Sequence, residues 1–513
     1  MAKPNEKLAE SLKVLKALQD NDIVGIRSSE ISRTHRERLQ ENGYLKEVSK
    51  GWYIAANPEE QEGDTTSWYI AYWKFCSRYL NEKYGEDYTI SAEQSIILHA
   101  ENKTVPKQLI VRATKAPNKT IELLHGGSVY EMQSGLPKSG EIIPKEGIRM
   151  LSLTSALVNM SPVMYQHDVI EVRTALSMIR DASEILPPLL TGGHPIIAGK
   201  LAGAFRNNNQ PEIADEIIKT MKSAGYKIKE TDPFNSQSNT TLIGRSPYIN
   251  RIKLMWEDMR KTVINNFPTE PGIPSNHDAY LTAVDEIYIT DAYHSLSIEQ
   301  YVVSKELIEK VQTGEWDAAN NENDRKQKDA MAARGYWLAS KAVKQSIHAV
   351  LKGANSGKVF SEEHRDWYRE LFAPSVVAGI IDLADLAGYR SSSVNIKDAR
   401  HVPPSVDAVR DAMPVLCELL TTESNASVRA VLGHLIFVFI HPYRDGNGRM
   451  GRFLMNLMLA SGGYPWMVIP VQQRKEYMNA LDVASADGNI EPFSKFIGEL
   501  VNASMKGEPV AKI

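Results

Sequence analysis

The chain has 513 residues, 42% of them hydrophobic, with 59 basic side chains against 63 acidic ones and a formal net charge of -4. That length implies two to four domains, and the balanced charge excludes both a global basic field for nucleic acid and an acidic, disordered composition. Cys76 and Cys417 are too few for a disulfide framework, no Cys/His spacing resembles a zinc site, no apolar run reaches membrane-spanning length and the start is charged rather than signal-like, so a cytoplasmic protein without a membrane partner is expected.

From the start of the chain, Leu8, Leu12, Leu15 and Leu18 mark one face of a helix. A second helix follows Ile26-Arg27-Ser28-Ser29-Glu30, where either serine can serve as N-cap, and it stops at Asn42-Gly43, a C-terminal signal. Tyr44-Leu45 and Trp52-Tyr53-Ile54, separated by Val48-Ser49-Lys50-Gly51, read as a hairpin. Helix, helix and hairpin over residues 1–55 suit a winged helix-turn-helix, with Arg33, Thr34 and Arg36 exposed on a recognition helix for DNA. Residues 1–50 carry ten Lys/Arg against eight Asp/Glu, so a domain kept for protein contacts is an equal alternative.

After the polar linker Ala56–Ser67, residues 68–270 read as a mixed α/β domain. Trp68–Tyr84 is a helix in which Trp68, Tyr69, Tyr72 and Trp73 have the spacing of a buried face; Tyr88–Ser91 and Gln108–Arg112 are strand-like; Asp168–Ile179 and Glu212–Ala224 are helical by period. No catalytic cluster falls in this span. Residues 281–312 hold a helix, Leu281–Gln300, and a connecting helix from Tyr301, followed by the charged, exposed stretch Asn320–Lys328. A domain over residues 328–505 begins with the long helix Met331–Leu351, on which His348 reads as structural. The fold class is thus α+β and multidomain, mainly α.

In the last domain Val428–Ile440 and Phe453–Ala460 are apolar segments at helical spacing. Between them runs His441-Pro442-Tyr443-Arg444-Asp445-Gly446-Asn447-Gly448-Arg449-Met450-Gly451-Arg452, a loop that two buried helices can hold rigidly. Gly446 and Gly448 flank Asn447 at the entrance to the second helix, where free N–H groups and the helix dipole make an anion cradle. Arg449 and Arg452, three apart, share a helix face and can clamp phosphate oxygens. Asp445 is a hard oxygen ligand of the kind Mg²⁺ takes when phosphates complete its shell, and His441 can take a proton near neutral pH.

This stretch resembles the signature of the Fic family, His-Pro-Phe-x-(Asp/Glu)-Gly-Asn-Gly-Arg-x-x-Arg, with Tyr443 in place of Phe as the only departure. The resemblance implies an all-α core with a β-hairpin flap, and a protein adenylyltransferase that moves AMP from ATP, with Mg²⁺, to a Ser, Thr or Tyr hydroxyl of a target protein or of the chain itself. His441 is then the catalytic base, Gly446, Asn447, Gly448, Arg449 and Arg452 bind the nucleotide, and Asp445 holds the metal. Gly388–Ile396 and His401–Pro404 resemble the family's flap, whose strand edge at Val394, Asn395 and Ile396 would align a target's main chain; an idle hairpin is the alternative. Tyr477 lies where the family often has an aromatic side chain near the adenine, with core packing as the alternative.

Ser295-Leu296-Ser297-Ile298-Glu299-Gln300 is similar to (Ser/Thr)-x-x-x-Glu-(Gly/Asn), the motif of Fic proteins that carry their own inhibitor. In that motif the Glu pairs with the second signature arginine, here Arg452, and the resemblance gives Ser295 and Glu299 this role. Gln300 departs from the small final residue and suits a left-handed helix end poorly, and a solvated Glu299 with no such role is the alternative. Members resembling this family also remove AMP or transfer other phosphate-linked groups. A further alternative is a DNA-binding regulator acting through residues 1–55. Lys50-Gly51-Trp52-Tyr53, Ile90-Ser91-Ala92-Glu93-Gln94 and Ile197–Phe205 resemble antitoxin-type regulators of abortive-infection systems.

Overall fold

The computed structural model describes residues 4–60, 64–235, 246–315, 328–386, 388–508 and 511–513. The charged stretch predicted at Asn320–Lys328 therefore lies, apart from Lys328, outside the described residues. The chain divides into two compact units, Met1–Arg251 with Asn395–Val402, and Ile252–Val394 with Pro403–Ile513.

The first unit begins with helices Pro4–Asp20 and Arg33–Glu41, which share a small core of Leu15, Ile26, Ile31, Leu39, Leu45 and Tyr53. Ser32, not Ser28 or Ser29, caps the second helix by accepting from the His35 N–H. The two earlier serines are unavailable because Ile26–Arg27 is a strand: it pairs with Trp52–Ala55, which pairs in turn with Leu45–Ser49 in an antiparallel sheet. Ile26 is fully buried, so burial of one apolar side chain overrides the local signal for a helix start. Helix Thr66–Tyr84 then buries Trp68, Tyr72, Phe75 and Tyr79 against strands Tyr88–Ile90, Gln108–Ala113 and Ser128–Gln133. Those strands and Lys119–Glu122 form a sheet in which Gln108–Ala113 and Ser128–Gln133 run parallel and the other pairs antiparallel. Helices from Leu153–Asn159 to Pro211–Ser223 close a separate apolar cluster around Leu176, Leu201, Phe205 and Ile217.

The second unit is helical. Side-chain oxygens of Asn276, Asn355, Ser405 and Asn425 cap helices His277–Ile298, Ser356–Val377, Val406–Thr422 and Ala426–Ile440, each accepting a backbone N–H of the first turn. Helix Ala426–Ile440 and the helix after the loop, Asn447–Ala460, are buried nearly all round. A helix that is apolar on every face belongs at the centre of its domain, and these two carry the loop between them.

The flap departs from its expected form. No strand is assigned among the described residues of 388–404, and Asn395–Val402 groups with the first unit. The backbone there finds partners outside a ladder: the Arg390 guanidinium donates to the carbonyls of Ser392, Pro404 and His441, and Arg390 N–H donates to Pro442 O. Pro403 and Pro404 have no N–H to give a strand. Asp398, at φ +59°, accepts from Thr65 N–H and donates its own N–H to the Thr66 hydroxyl.

Candidate active site

The loop at 441–452 is fixed by its own residues before anything else touches it. His441 ends its helix in the left-handed region at φ +51°, ψ +60°, a conformation that a non-glycine residue keeps only where its surroundings enforce it. Asn447 supplies part of that enforcement: its side chain accepts from Tyr443 N–H at 2.9 Å and donates to Tyr443 O at 2.8 Å. The Asn447 side chain is thereby tied to both polar groups of Tyr443, while its backbone N–H stands at the helix start where the sequence places an anion. Gly446 takes φ +78° at the start of the next helix, and a β-carbon there would stand 2.9 Å from the Phe372 ring. Tyr443 stacks on Tyr368 with centroids 3.8 Å apart, among Tyr389, His364 and Phe437. Its hydroxyl, the one atom by which it departs from the signature, is buried without a hydrogen-bond partner.

His441 is half-buried, and its Nδ1 lies 3.1 Å from Val438 O. A carbonyl oxygen only accepts, so Nδ1 carries the proton and Nε2 keeps its lone pair for a substrate. Burial, with a smaller push from Arg390, lowers the imidazole from the usual 6.5 to about 4, against the opposing pull of Glu299 and Asp445. A neutral, correctly oriented imidazole is what a general base requires.

Arg452, buried, meets three oxygens of one helix end. Its Nε donates to Ser295 Oγ at 2.8 Å, and its Nη2 donates to Ser295 O at 3.0 Å and Glu299 Oε1 at 2.8 Å. Both sequence-predicted residues thus reach the predicted arginine. Burial opposes the Glu299 charge, but Arg452 and Arg449 together hold its carboxyl below the usual carboxylate range; Glu299 in turn keeps the Arg452 guanidinium protonated despite its burial. Glu299 approaches so closely that a β-carbon on Gly448 would fall 2.3 Å from its Oε1, so a side chain there would push the carboxylate aside.

The helix end is a Schellman turn, with Tyr301 N–H to Leu296 O at 3.1 Å and Gln300 N–H to Ser297 O at 3.0 Å. Gln300 does adopt the left-handed conformation, at φ +67°, in the position where a small residue was expected. Arg474 Nε donates to Ile298 O at 2.7 Å and pins the last carbonyl.

Asp445 is 66% exposed; one carboxylate oxygen takes the Gly446 N–H at 2.6 Å and the other is 3.7 Å from Arg449. Among the described residues no group of three or more His, Cys, Asp or Glu side chains is close enough to hold a metal. A single open carboxylate beside an anion cradle nevertheless fits Mg²⁺, which takes one or two protein oxygens and completes its shell with phosphates and water.

Other predicted residues stand elsewhere. Tyr477 is 1% exposed, packs against Phe493 and Phe496, and its hydroxyl bonds His434 Nε2 at 2.8 Å. That burial corrects its expected place beside an adenine: Tyr477 stands in the core near Arg452. Neither Val394, Asn395 nor Ile396 lies in a strand, so the expected ladder edge is absent there. In the N-terminal helix Arg33 and Thr34 are exposed, Arg33 paired with Glu37, while Arg36 turns onto the Tyr53 ring. Sequence reading missed Arg390, His434, Phe372 and Tyr301. Tyr301 had a usable signal, its place two residues after Glu299, and His434 lies on the helix that leads into the loop; Phe372 and Arg390 come from distant chain positions.

Residues 360–459 match the Fic/DOC family. The chain is 26% identical over 313 residues to a protein adenylyltransferase Fic of Drosophila mojavensis, covering 59% of this chain and 56% of the relative. It is 29% identical over 242 residues to the protein of the same name from Drosophila willistoni, covering 46% and 44%. The chain thus spans about half the length of the curated relatives it matches. A solved structure, Fic-1 (residues 134–508) from C. elegans, aligns with a TM-score of 0.37 at 17% identity, over 67% of this chain and 90% of that one. No helix among the described residues is long and apolar enough to cross a membrane. Over the part that holds the loop, the chain is similar to Fic-type proteins, and the relatives it matches are named protein adenylyltransferases.

Proposed function

We propose that the chain is a Fic-type protein adenylyltransferase that transfers AMP from ATP to a Ser, Thr or Tyr hydroxyl of a protein, and that Glu299 restrains it. The observation that carries the reading is the loop itself: a neutral His441 with Nε2 open, next to a glycine-bounded helix N-terminus and two buried arginines. The triphosphate lies over the backbone of 446–448, with Arg449 and Arg452 on its oxygens. His441 Nε2 takes the hydroxyl proton as that oxygen attacks the α-phosphorus. A new P–O bond forms to the target, the bond to the β-phosphate oxygen breaks, and pyrophosphate leaves. Asp445 would hold a Mg²⁺ ion, which when bound offsets phosphate charge.

Restraint follows from Arg452. While Glu299 and Ser295 occupy its donors, it cannot take a phosphate oxygen, so ATP binds without the alignment that transfer needs. Incubating the full chain, alone and with lysate, with ATP labelled on the α- or the γ-phosphate tests the reaction. Transfer of α-label without γ-label to protein is expected; γ-label transfer, or release of AMP from a modified protein as the main activity, would replace this reading with phosphoryl transfer or AMP removal.

A second reading concerns the N-terminal region. Its three-stranded sheet with helix Arg33–Glu41, and the exposed Arg33 and Thr34, favour a winged helix that contacts DNA. Gel shifts across a salt series decide it: binding that weakens steeply with salt and with Arg33→Ala is expected, and salt-independent or absent binding leaves the region to protein contacts.

A further inference from the structure

Arg449 is held unlike Arg452. Its guanidinium carbon lies 5.1 Å from the centre of the Tyr301 ring and 5.2 Å from that of Phe372. The residue is 1% exposed, yet its Nε–H has no acceptor. Its contacts to oxygen are long, 3.5 Å to the Tyr301 hydroxyl and 3.7 Å to Asp445. A buried cation in such a place needs compensation, and here the ring faces give much of it.

Ring faces and carboxylates compensate a guanidinium in different ways. A carboxylate occupies its N–H donors, as Glu299 does on Arg452. An aromatic face attracts the positive charge through its quadrupole and leaves the donors open in the guanidinium plane. Arg449 is thereby oriented and still able to bond an oxyanion. We propose that Tyr301, together with Phe372, is a positioning residue that holds Arg449 ready for the phosphates of ATP; this rests on the adenylyltransferase reading above.

Tyr301 owes its place to the same Schellman turn that presents Glu299, through its N–H bond to Leu296 O. The turn therefore touches both signature arginines, one by a carboxylate and one by a ring. These contacts are separable. Removing the Glu299 side chain leaves the backbone bonds of the turn, so Tyr301 keeps its hold on Arg449 when Arg452 is released. Phe372 is the poorer target for a test, because it also packs against Gly446.

The test uses the full chain carrying Glu299→Gly and measures ATP affinity calorimetrically in the presence of Mg²⁺, then KM and kcat for transfer of labelled AMP. Tyr301→Phe keeps the ring and loses the long hydroxyl contact, so Kd and KM should stay within about twofold of the parent. Tyr301→Leu keeps the bulk and loses the quadrupole, and should weaken ATP about tenfold, as should Tyr301→Ala, with kcat changing far less. Affinity of the Leu variant equal to that of Phe would reduce Tyr301 to packing. Loss in Phe as large as in Ala would move the role to the hydroxyl, and an unchanged Ala variant would remove it; any of the three overturns the proposal. A parent that binds ATP but transfers no AMP overturns the adenylyltransferase reading alone, since the affinity ratios still decide on Tyr301. A parent that binds no ATP overturns both.

Discussion

The loop at 441–452 and the turn at 295–301 meet on Arg452, and both place a non-glycine residue in the left-handed region at a helix end, His441 at φ +51° and Gln300 at φ +67°. Their surroundings differ. Around His441 the chain is buried: Pro442, Tyr443, Gly446, Asn447 and both arginines are out of water, and Asn447 ties the loop to itself. Around Gln300 the chain is exposed, with Glu299 and Gln300 facing solvent and Tyr301 half-buried. Strain enforced by a packed interior is released only with the packing around it, whereas at the turn Ser295 and Ile298 are buried and bonded to Arg452 and Arg474, and only the Glu299 side chain beyond them is partly wet. The loop is therefore suited to be permanent, and on the turn it is the Glu299 side chain, not the backbone that carries Tyr301, that is suited to be displaced.

The largest way to break this contrast acts on the loop. His441→Ala should lower AMP transfer by about 10²–10⁴-fold while ATP affinity measured by calorimetry changes little, because a general base acts on the transition state. Equal losses in both would mean that His441 shapes the pocket instead. On the turn the sign reverses: Glu299→Gly should raise transfer about tenfold, the value of one charge-assisted hydrogen bond discounted for a side chain that is 32% exposed. An unchanged rate would make the contact idle.

The pH profile separates the two regions next. His441 is lowered to about 4 and Glu299 opposes that lowering, so the Glu299→Gly variant should keep its rate down through pH 6.5 and lose it only at or below about 4; a limb near 6.5 would contradict the burial of the imidazole. In the native chain the carboxyl of Glu299 is also held low, so its pairing with Arg452 is full above the ordinary carboxylate range and is lost only as pH falls through that lowered value. Smaller effects come from single backbone and hydroxyl changes. Gln300→Gly removes about 1 kcal/mol of left-handed strain, tightens the turn and should lower basal transfer several-fold. Tyr443→Phe removes a buried hydroxyl without a partner and should stabilise the second unit by about 1 kcal/mol or less in urea unfolding, with no change in rate.

Legibility followed the range of the forces involved. The helix stop at Asn42-Gly43 could be read because cap and helix are neighbours in the chain, and the helix does end at Glu41. The start at Ser32 could not, since Ile26 joins a sheet through Tyr53, distant in sequence. The flap also departed: Val394 and Ile396 alternate as in a strand, but Ile396 O accepts the Ala399 N–H of a local turn, and Arg390 holds the carbonyls of Ser392 and Pro404 on either side. Tyr477 has the composition of a ligand-facing aromatic and is buried on His434, a fact that no local pattern carries.

By itself the sequence determined which side chains the loop brings together, because His441, Asp445, Gly446, Gly448 and both arginines lie within a dozen residues whose mutual placement is set by two flanking helices. It also marked Ser295 and Glu299 as partners for Arg452. Only the tertiary structure decided which donors are free. Asn447 is occupied within the loop, Arg452 is occupied by the turn, and Arg449, held by ring faces, keeps donors open for a ligand. The reason is physical: residue type sets which bonds a group can make, and which of them are already made depends on neighbours that folding brings from elsewhere in the chain.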